Sequence, residues 1–340
     1  MIEVDFIPVG EEANTGDAIL CRLTEPGTTQ ERVMLIDGGF ADTATAIALH
    51  VQQYYATTRI DLMVCTHPDN DHINGLFGIF DHLTVTELVI HRPAEHGYTS
   101  DEVKADRVDE LIDLARSHGT TVTTGAFAGS TFFSGAVLVA GPTKDFYTDM
   151  LAGDNSSASM KSLVSSILRA SAAAVKNVLM PRTTDPGEGE LTDGDGTTSR
   201  NNTSIILDVQ VDGSRAFFTG DAGVPALTAA ADFMDASGRN SVGFPDFFDV
   251  PHHGSRHNLT TKVMDRLAGP IVGATETRTA FVSVGKKAED FPRSEVANAF
   301  TRRGYEVCAT RGRTIMWGRG APTRTGWVTI QPLPWLELDV

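Results

Sequence analysis

Cys65-Thr66-His67-Pro68-Asp69-Asn70-Asp71-His72 sets two imidazoles and two carboxylates among its last six residues. It follows the apolar run Ile60-Asp61-Leu62-Met63-Val64, which reads as a buried strand. It precedes Ile73-Asn74-Gly75-Leu76-Phe77-Gly78-Ile79-Phe80, whose apolar residues recur at helical spacing. Side chains alternate along an extended segment, so His67, Asp69 and Asp71 are expected to point one way, with His72 swinging in behind them. Carboxylates crowded this closely repel one another, and a cation is the usual remedy. Asp and Asn also make turns and cap helices, but a turn does not call for the pattern His-x-Asp-x-Asp-His. The stretch reads as a metal site on a loop between a strand end and a helix start, where functional residues concentrate.

Three further strand ends carry matching groups. Asp37 closes the strand Val33-Met34-Leu35-Ile36 ahead of Gly38-Gly39, and Asp221 closes Ala216-Phe217-Phe218-Thr219-Gly220. His252 and His253 follow Phe247-Phe248-Asp249-Val250-Pro251 and precede Gly254-Ser255. Paired histidines there suit one metal ligand and a second group, and the residues alone leave open which is which. Strand ends along one sheet edge converge in space, so a site for two ions roughly 3.5–4 Å apart, bridged by Asp221, is expected.

The rest of the chain bounds this reading. Its 340 residues can bury a large core. A formal charge of −16 is the wrong sign for general capture of nucleic acid or an anionic membrane. It does not bar a nucleic-acid substrate at a site where metal neutralises the carboxylates. Arg302, Arg303, Arg311, Arg313, Arg319 and Arg324 are expected to form a solvated face or a local basic lip. Cys21, Cys65 and Cys308 are too few and too scattered for a disulfide framework, so buried free thiols in a reducing compartment are expected. Neither a signal-peptide pattern nor an apolar run of the ~20 residues that span a bilayer is visible. The expectation is a soluble, cytoplasmic protein with no membrane partner.

Strand-like runs alternate with helical patterns through both halves, which argues for layered sheets with helices outside. Strands are expected near 2–8, 17–24, 32–37, 60–65, 86–91, 136–140, 203–211, 215–219, 246–251, 279–284 and 306–310, with a further pair near 313–317 and 326–331. Helices are expected near 43–55, 72–82, 101–118, 224–236, 259–268 and 293–303. Asp212-Gly213 signals a hairpin. Residues 143–200 break the rhythm with a helix over Leu163–Val175 and the acidic, Gly-rich Thr183–Arg200 loop. The reading is a single domain, 1–340, with 143–200 inserted between two α/β halves.

The order Asp, His-x-Asp-x-Asp-His, Asp, His resembles the metallo-β-lactamase superfamily. More narrowly it is similar to the metallo-β-lactamase domain of the ComEC/Rec2 competence proteins. The resemblance is carried by Gly16-Asp17-Ala18-Ile19-Leu20, Ile36-Asp37-Gly38-Gly39, Thr66–Leu76, Asn201-Asn202-Thr203-Ser204, Phe218-Thr219-Gly220-Asp221, Val250–Ser255 and Ser283-Val284-Gly285. It implies a four-layer αβ/βα sandwich with metals at the sheet edges and hydrolysis as the activity. Carried over by position, His67 and Asp69 serve a first ion, Asp71, His72 and His253 a second, and Asp221 bridges. Asp37 and Asn202 stand just behind the ligands, with Asp37 orienting a histidine.

Two departures from the family follow. The superfamily usually has His where Asp69 stands and another His about twenty residues before the bridging Asp, where this chain reads Asn201-Asn202. An oxygen-richer first site brings Mn²⁺, or Mg²⁺, into competition with Zn²⁺. The competence proteins also carry membrane-spanning segments that this chain lacks, so a DNA-uptake role is not inherited.

The leading expectation is a hydrolase of a phosphodiester, nucleic acid included, in which metal-bound hydroxide attacks and Asp71 orients it. Lys286, His252 or Ser255 would contact substrate or developing charge, with Lys286 and His252 named as catalytic beside Asp71. Two alternatives stand beside it. One is hydrolysis of a lactone, thioester or β-lactam; the other is a non-catalytic scaffold or sensor of a defence or mobile-element system.

Overall fold

The structure is a computed structural model, and it describes residues 1–97, 103–155, 191, 197–272 and 278–336. The helix expected over Leu163–Val175 and most of the Thr183–Arg200 loop lie outside the described residues.

Among the described residues fourteen strands form two seven-stranded sheets. The first holds β1 (Ile2–Phe6), β2 (Ile19–Thr24), β3 (Glu31–Ile36), β4 (Arg59–Cys65), β5 (Thr84–Ile90), β6 (Thr121–Thr123) and β14 (Ile315–Arg319). Its order is β14-β1-β2-β3-β4-β5-β6, so the last strand returns to pair antiparallel with the first. The second sheet holds β7 (Thr131–Phe132), β8 (Val137–Gly141), β9 (Ile206–Val211), β10 (Ser214–Phe218), β11 (Phe247–Asp249), β12 (Arg278–Val282) and β13 (Tyr305–Ala309), in the order β13-β12-β11-β10-β9-β8-β7. In each sheet the strands bearing the expected ligands run parallel: β3 with β4, and β10 with β11.

Alternation within each strand decides the layers. Val4, Phe6, Ile36 and Val64 of the first sheet share one apolar core with Leu207, Phe218, Phe247 and Phe281 of the second. The intervening residues face outward. Leu20, Leu35, Met63 and Leu88 pack beneath α1 (Thr43–Tyr55), α2 (Asn70–Ile79) and α3 (Val103–Ser117). Ile206, Phe217, Phe248 and Ala280 pack beneath α5 (Val224–Ala236), α6 (Thr261–Leu267) and α7 (Ser294–Arg302). Strands covered on both faces read as nearly continuous apolar runs, which is why they stand out in the sequence. The result is the expected αβ/βα sandwich.

The hairpin at Asp212-Gly213 is present, joining β9 to β10 with both turn residues at positive φ, 51° and 81°. One expected strand is absent, and three elements were not expected. Residues 326–331 form no strand: β14 already fills the edge beside β1, and the tail beyond is held by the Leu333 amide donating to the Val307 carbonyl at 2.7 Å and by the Asn298 side chain on the Leu336 backbone. The segment after 143 begins with a helix, α4 (Lys144–Asn155), that was not expected. The short strands β6 and β7, three and two residues long, lie below the length at which periodicity can be read.

The arginines are the third kind of surprise. Neither Arg303 nor Arg324 lies on a solvated face or lip: the Arg303 side chain is buried and pairs with Asp265, 2.6 Å away. Arg324 pairs with Asp5 at 2.6 Å and Glu3 at 2.7 Å, and all three side chains are buried. The cause is strand β1. Its alternation turns Glu3 and Asp5 toward the covering layer, where Arg22 adds a second guanidinium 2.6 Å from Glu3. Buried carboxylates there require cations. Burial raises the Asp5 carboxyl pKa, but His50 and Arg324 outweigh it and hold it below its ordinary value. That stabilisation is complete above about pH 4 and is lost as pH falls through the lower folded pKa. Arg324→Met should cost about 3–5 kcal/mol in urea unfolding at neutral pH, since it leaves the buried Asp5 charge without its guanidinium while Glu3 keeps Arg22. A cost under ~1 kcal/mol would contradict this account.

Candidate metal centre

The ligand stretch changes backbone conformation in mid-motif. Asp69 is the extended N-cap of α2, and its carbonyl accepts from the amides of His72 and Ile73, both at 2.9 Å. Asp71 and His72 therefore project from the first helical turn, not from an extended segment as expected. His67 and Asp69 reach the same place from the chain leaving β4. The helix is seated by contact of backbone on backbone: a Cβ on Gly75 would lie 1.8 Å from the Gly38 carbonyl oxygen, and one on Gly38 2.5 Å from the Leu76 nitrogen. Only glycine permits α2 to approach the turn after β3 this closely.

That turn carries Asp37, a buried residue at φ 56°. Its Oδ1 accepts the Thr66 amide at 2.8 Å, and its Oδ2 accepts both the Thr66 hydroxyl at 2.6 Å and His72 Nδ1 at 2.8 Å. Having donated its only proton to Asp37, the Thr66 hydroxyl must accept from His67 Nδ1, 3.0 Å away. Both imidazoles thus carry their proton on Nδ1 and turn a bare Nε2 inward. Both Nε2 atoms are buried with no hydrogen-bond partner among the described residues, as are Asp221 Oδ1 and both ring nitrogens of His253.

The ligand atoms fall into two groups around Asp221. His67 Nε2 lies 3.7 Å from Asp69 Oδ2 and 3.6 Å from Asp221 Oδ2. Asp71 Oδ2 lies 3.8 Å from His72 Nε2 and 3.7 Å from His253 Nε2, while His72 Nε2 lies 3.5 Å from Asp221 Oδ2. Ligands bonded at about 2.0–2.2 Å to one tetrahedral cation stand roughly 3.3–3.6 Å apart. These separations, 3.5–3.8 Å, are long for hydrogen bonds and lie at or just above the spacing of atoms sharing an ion. Orphaned lone pairs, carboxylates and spacing together fit divalent cations.

The two halves of the centre come from different sheets, a correction to the expectation of one sheet edge. Asp37 and His67 follow β3 and β4; Asp221, His252 and His253 follow β10 and β11. Face-to-face packing of the sheets brings these strand ends to one rim. The turn bearing Asp221 is tied down by Asp249 Oδ2, which accepts the Thr219 amide at 3.0 Å and the Gly220 amide at 3.3 Å.

The remaining expected residues divide. His252, about one-third exposed, turns Nε2 to within 3.6 Å of Asp221 Oδ2. Asn202 is absorbed in structure: its Oδ1 accepts the Gly223 amide and its Nδ2 donates to the Thr198 carbonyl, both at 3.2 Å. The Ser255 hydroxyl accepts from the His257 amide. Lys286 is exposed and pairs with Glu11 at 3.1 Å, with no recorded contact to the cluster among the described residues.

Two residues were missed. Asp17, buried, has Oδ1 3.7 Å from His253 Nδ1 and Oδ2 3.9 Å from His72 Nδ1. Burial raises its pKa. Its place in Gly16-Asp17, before β2, was the available signal. Arg200 donates to Asp69 Oδ1 at 3.2 Å, and nothing in the sequence singled it out. An open cleft lined by Ala13, Asn14, Thr15 and Phe40 meets the centre at Asp71.

Asp37→Asn should weaken Zn²⁺ or Mn²⁺ binding by about 10–100-fold while the fold persists, because it loosens two ligands at once. Calorimetric titration with circular dichroism as the folding control checks this, and unchanged affinity would contradict it.

A family model described as "Metallo-beta-lactamase superfamily" matches residues 27–270. No curated protein sequence matches the chain. Among solved structures, one similar to it is a diphosphatase from the PhnP family, at 11% identity, over 93% of this chain and 98% of that one, with a TM-score of 0.41. Another is an archaeal metallo-beta-lactamase superfamily protein from Sulfolobus tokodaii, at 14% identity over 77% and 83% of the two chains, TM-score 0.31. A mutant of the CmlA beta-hydroxylase aligns at 10% identity over 93% of this chain and 53% of its own, TM-score 0.45.

Proposed function

The chain belongs to the metallo-β-lactamase superfamily, and from that premise we propose that it hydrolyses a phosphodiester, nucleic acid included, with two divalent cations. The observation that carries this is the inward turn of bare, buried imidazole nitrogens from His67 and His72, with the buried His253 ring beside them, toward carboxylate oxygens that are themselves hydrogen-bond acceptors. Such an arrangement is repulsive unless cations lie between.

His67, Asp69 and Asp221 would hold one ion, and Asp71, His72, His253 and Asp221 the other. Zn²⁺ and Mn²⁺ are the favoured ions, and the oxygen-rich first group admits Mg²⁺. When bound, such ions acidify a water toward neutral pH and polarise a phosphoryl oxygen. The protein's own groups do the rest. Asp71 is a carboxylate, ionised at neutral pH in its ordinary range, and would accept a hydrogen bond from the attacking water, fixing its orientation. Lys286 would contact the substrate's charge by exchanging Glu11 for it, at small cost because an exposed pair is worth under ~1 kcal/mol.

The resemblance of Thr66–Leu76 and Val250–Ser255 to the ComEC/Rec2 domain, together with Asp69 where a histidine is usual, supports the phosphodiester. The net charge of −16 favours an uncharged lactone, thioester or β-lactam as the second reading. Three buried free thiols support a cytoplasmic location. Among the described residues no helix is long and apolar enough to cross a membrane. We take 1–340 as a single domain with 143–200 inserted between its halves.

With Mn²⁺ or Zn²⁺ present, turnover of bis(p-nitrophenyl) phosphate should exceed that of nitrocefin and simple lactones. Asp71→Asn should reduce it by at least ~1,000-fold with the fold intact, a barrier increase of about 4 kcal/mol. Preference for the lactone or nitrocefin would overturn the substrate class, and full activity in Asp71→Asn would overturn the mechanism.

A further inference from the structure

We infer that His252 is a metal ligand, and that it completes the coordination of the ion held by His67, Asp69 and Asp221. This rests on the two-ion reading above and adds to it a residue that the sequence assigned to substrate.

The first argument is the proton on the ring. Asn258 is fully buried, and its Nδ2 donates to the carbonyls of Asp221 at 2.9 Å and Ala222 at 3.2 Å. Its Oδ1 is therefore fixed toward His252 Nδ1, 3.0 Å away, and must accept from it. That places the His252 proton on Nδ1 and leaves Nε2 a lone pair, 3.6 Å from Asp221 Oδ2. His67 and His72 show the same arrangement, with Nδ1 held from behind and a bare Nε2 at 3.6 and 3.5 Å from that same oxygen. A histidine reserved for donating a proton to substrate would need it on Nε2.

The second argument is the ligand count. Asp71, His72, His253 and Asp221 already give one ion four ligands, the usual complement. His67, Asp69 and Asp221 give the other only three, and Asn202 is spent on Gly223 and Thr198. His252 is the further nitrogen that faces Asp221.

The third is the backbone. His252 and His253 sit consecutively in the left-handed region, at φ 48° and 57°. Such a conformation is strained for any non-glycine residue, a strain kept where function needs it. Here it lets one tight turn deliver His253 to Asp71 and His252 to Asp221, while the His252 amide is pinned to the Gly220 carbonyl at 3.1 Å.

Ion counting tests this without reference to activity. The probe is Mn²⁺ or Zn²⁺ alone, read by calorimetric titration and by metal content after gel filtration. Asparagine tolerates the left-handed region, so His252→Asn keeps the turn while losing the reach. The wild-type chain should bind two ions, and His252→Asn should bind one tightly, the other weakened by more than ~100-fold. His67→Asn combined with His252→Asn should lose nothing beyond that same ion, whereas His253→Asn combined with His252→Asn should lose both. Two ions bound by His252→Asn at wild-type affinity would overturn the assignment and return His252 to the substrate. A wild-type chain that binds no ion would overturn the two-ion reading itself, and the assignment with it.

Discussion

Asp37 accepting from His72 and from Thr66 is the interaction on which the centre depends. One buried carboxylate accepts a hydrogen bond from His72 Nδ1 directly and, through the Thr66 hydroxyl, fixes the proton of His67. Without it either ring could turn its N–H toward the cluster, and the convergence on Asp221 would be lost. Asp37 can act this way because the main chain delivers it at φ 56°, in a turn pressed against α2 at Gly38 and Gly75. Tautomer, ligand direction and helix seating are consequences of one close backbone contact.

The sandwich supplies the other half. Asp221 and the two histidines belong to the second sheet, so the centre exists only while the shared core of Phe6, Ile36, Phe218 and Phe247 holds the two rims together. The same device recurs across the rim. Asn258 stands behind His252 much as Asp37 stands behind His72, each accepting from Nδ1. A buried acceptor that holds one ring nitrogen leaves the other facing inward, which is how a protein aims imidazoles toward a metal.

Much of this was legible in the residues. The gathering of carboxylates and histidines could be anticipated because such groups at strand ends are hard to explain otherwise, and the strands could be read because both faces are apolar. Other features could not. Asp17 is a lone acid before a strand, and its meaning lies in a neighbour more than two hundred residues away, His253. Arg324 looked like surface charge because nothing local reveals that Glu3 and Asp5 are buried opposite it. Asn202 looked like part of the centre and proves to be a tie between Thr198 and Gly223. Short-range pattern finds groups that chemistry forces together; it does not find partners joined only by packing.

The most direct measurement is an anomalous-scattering map from crystals grown with Zn²⁺ or Mn²⁺. The account predicts two peaks roughly 3.5–4 Å apart, flanking the Asp221 carboxylate, one against Asp71, His72 and His253 and the other against His67 and Asp69. No peak at Asp221, or strong peaks only elsewhere on the acidic surface, would contradict it.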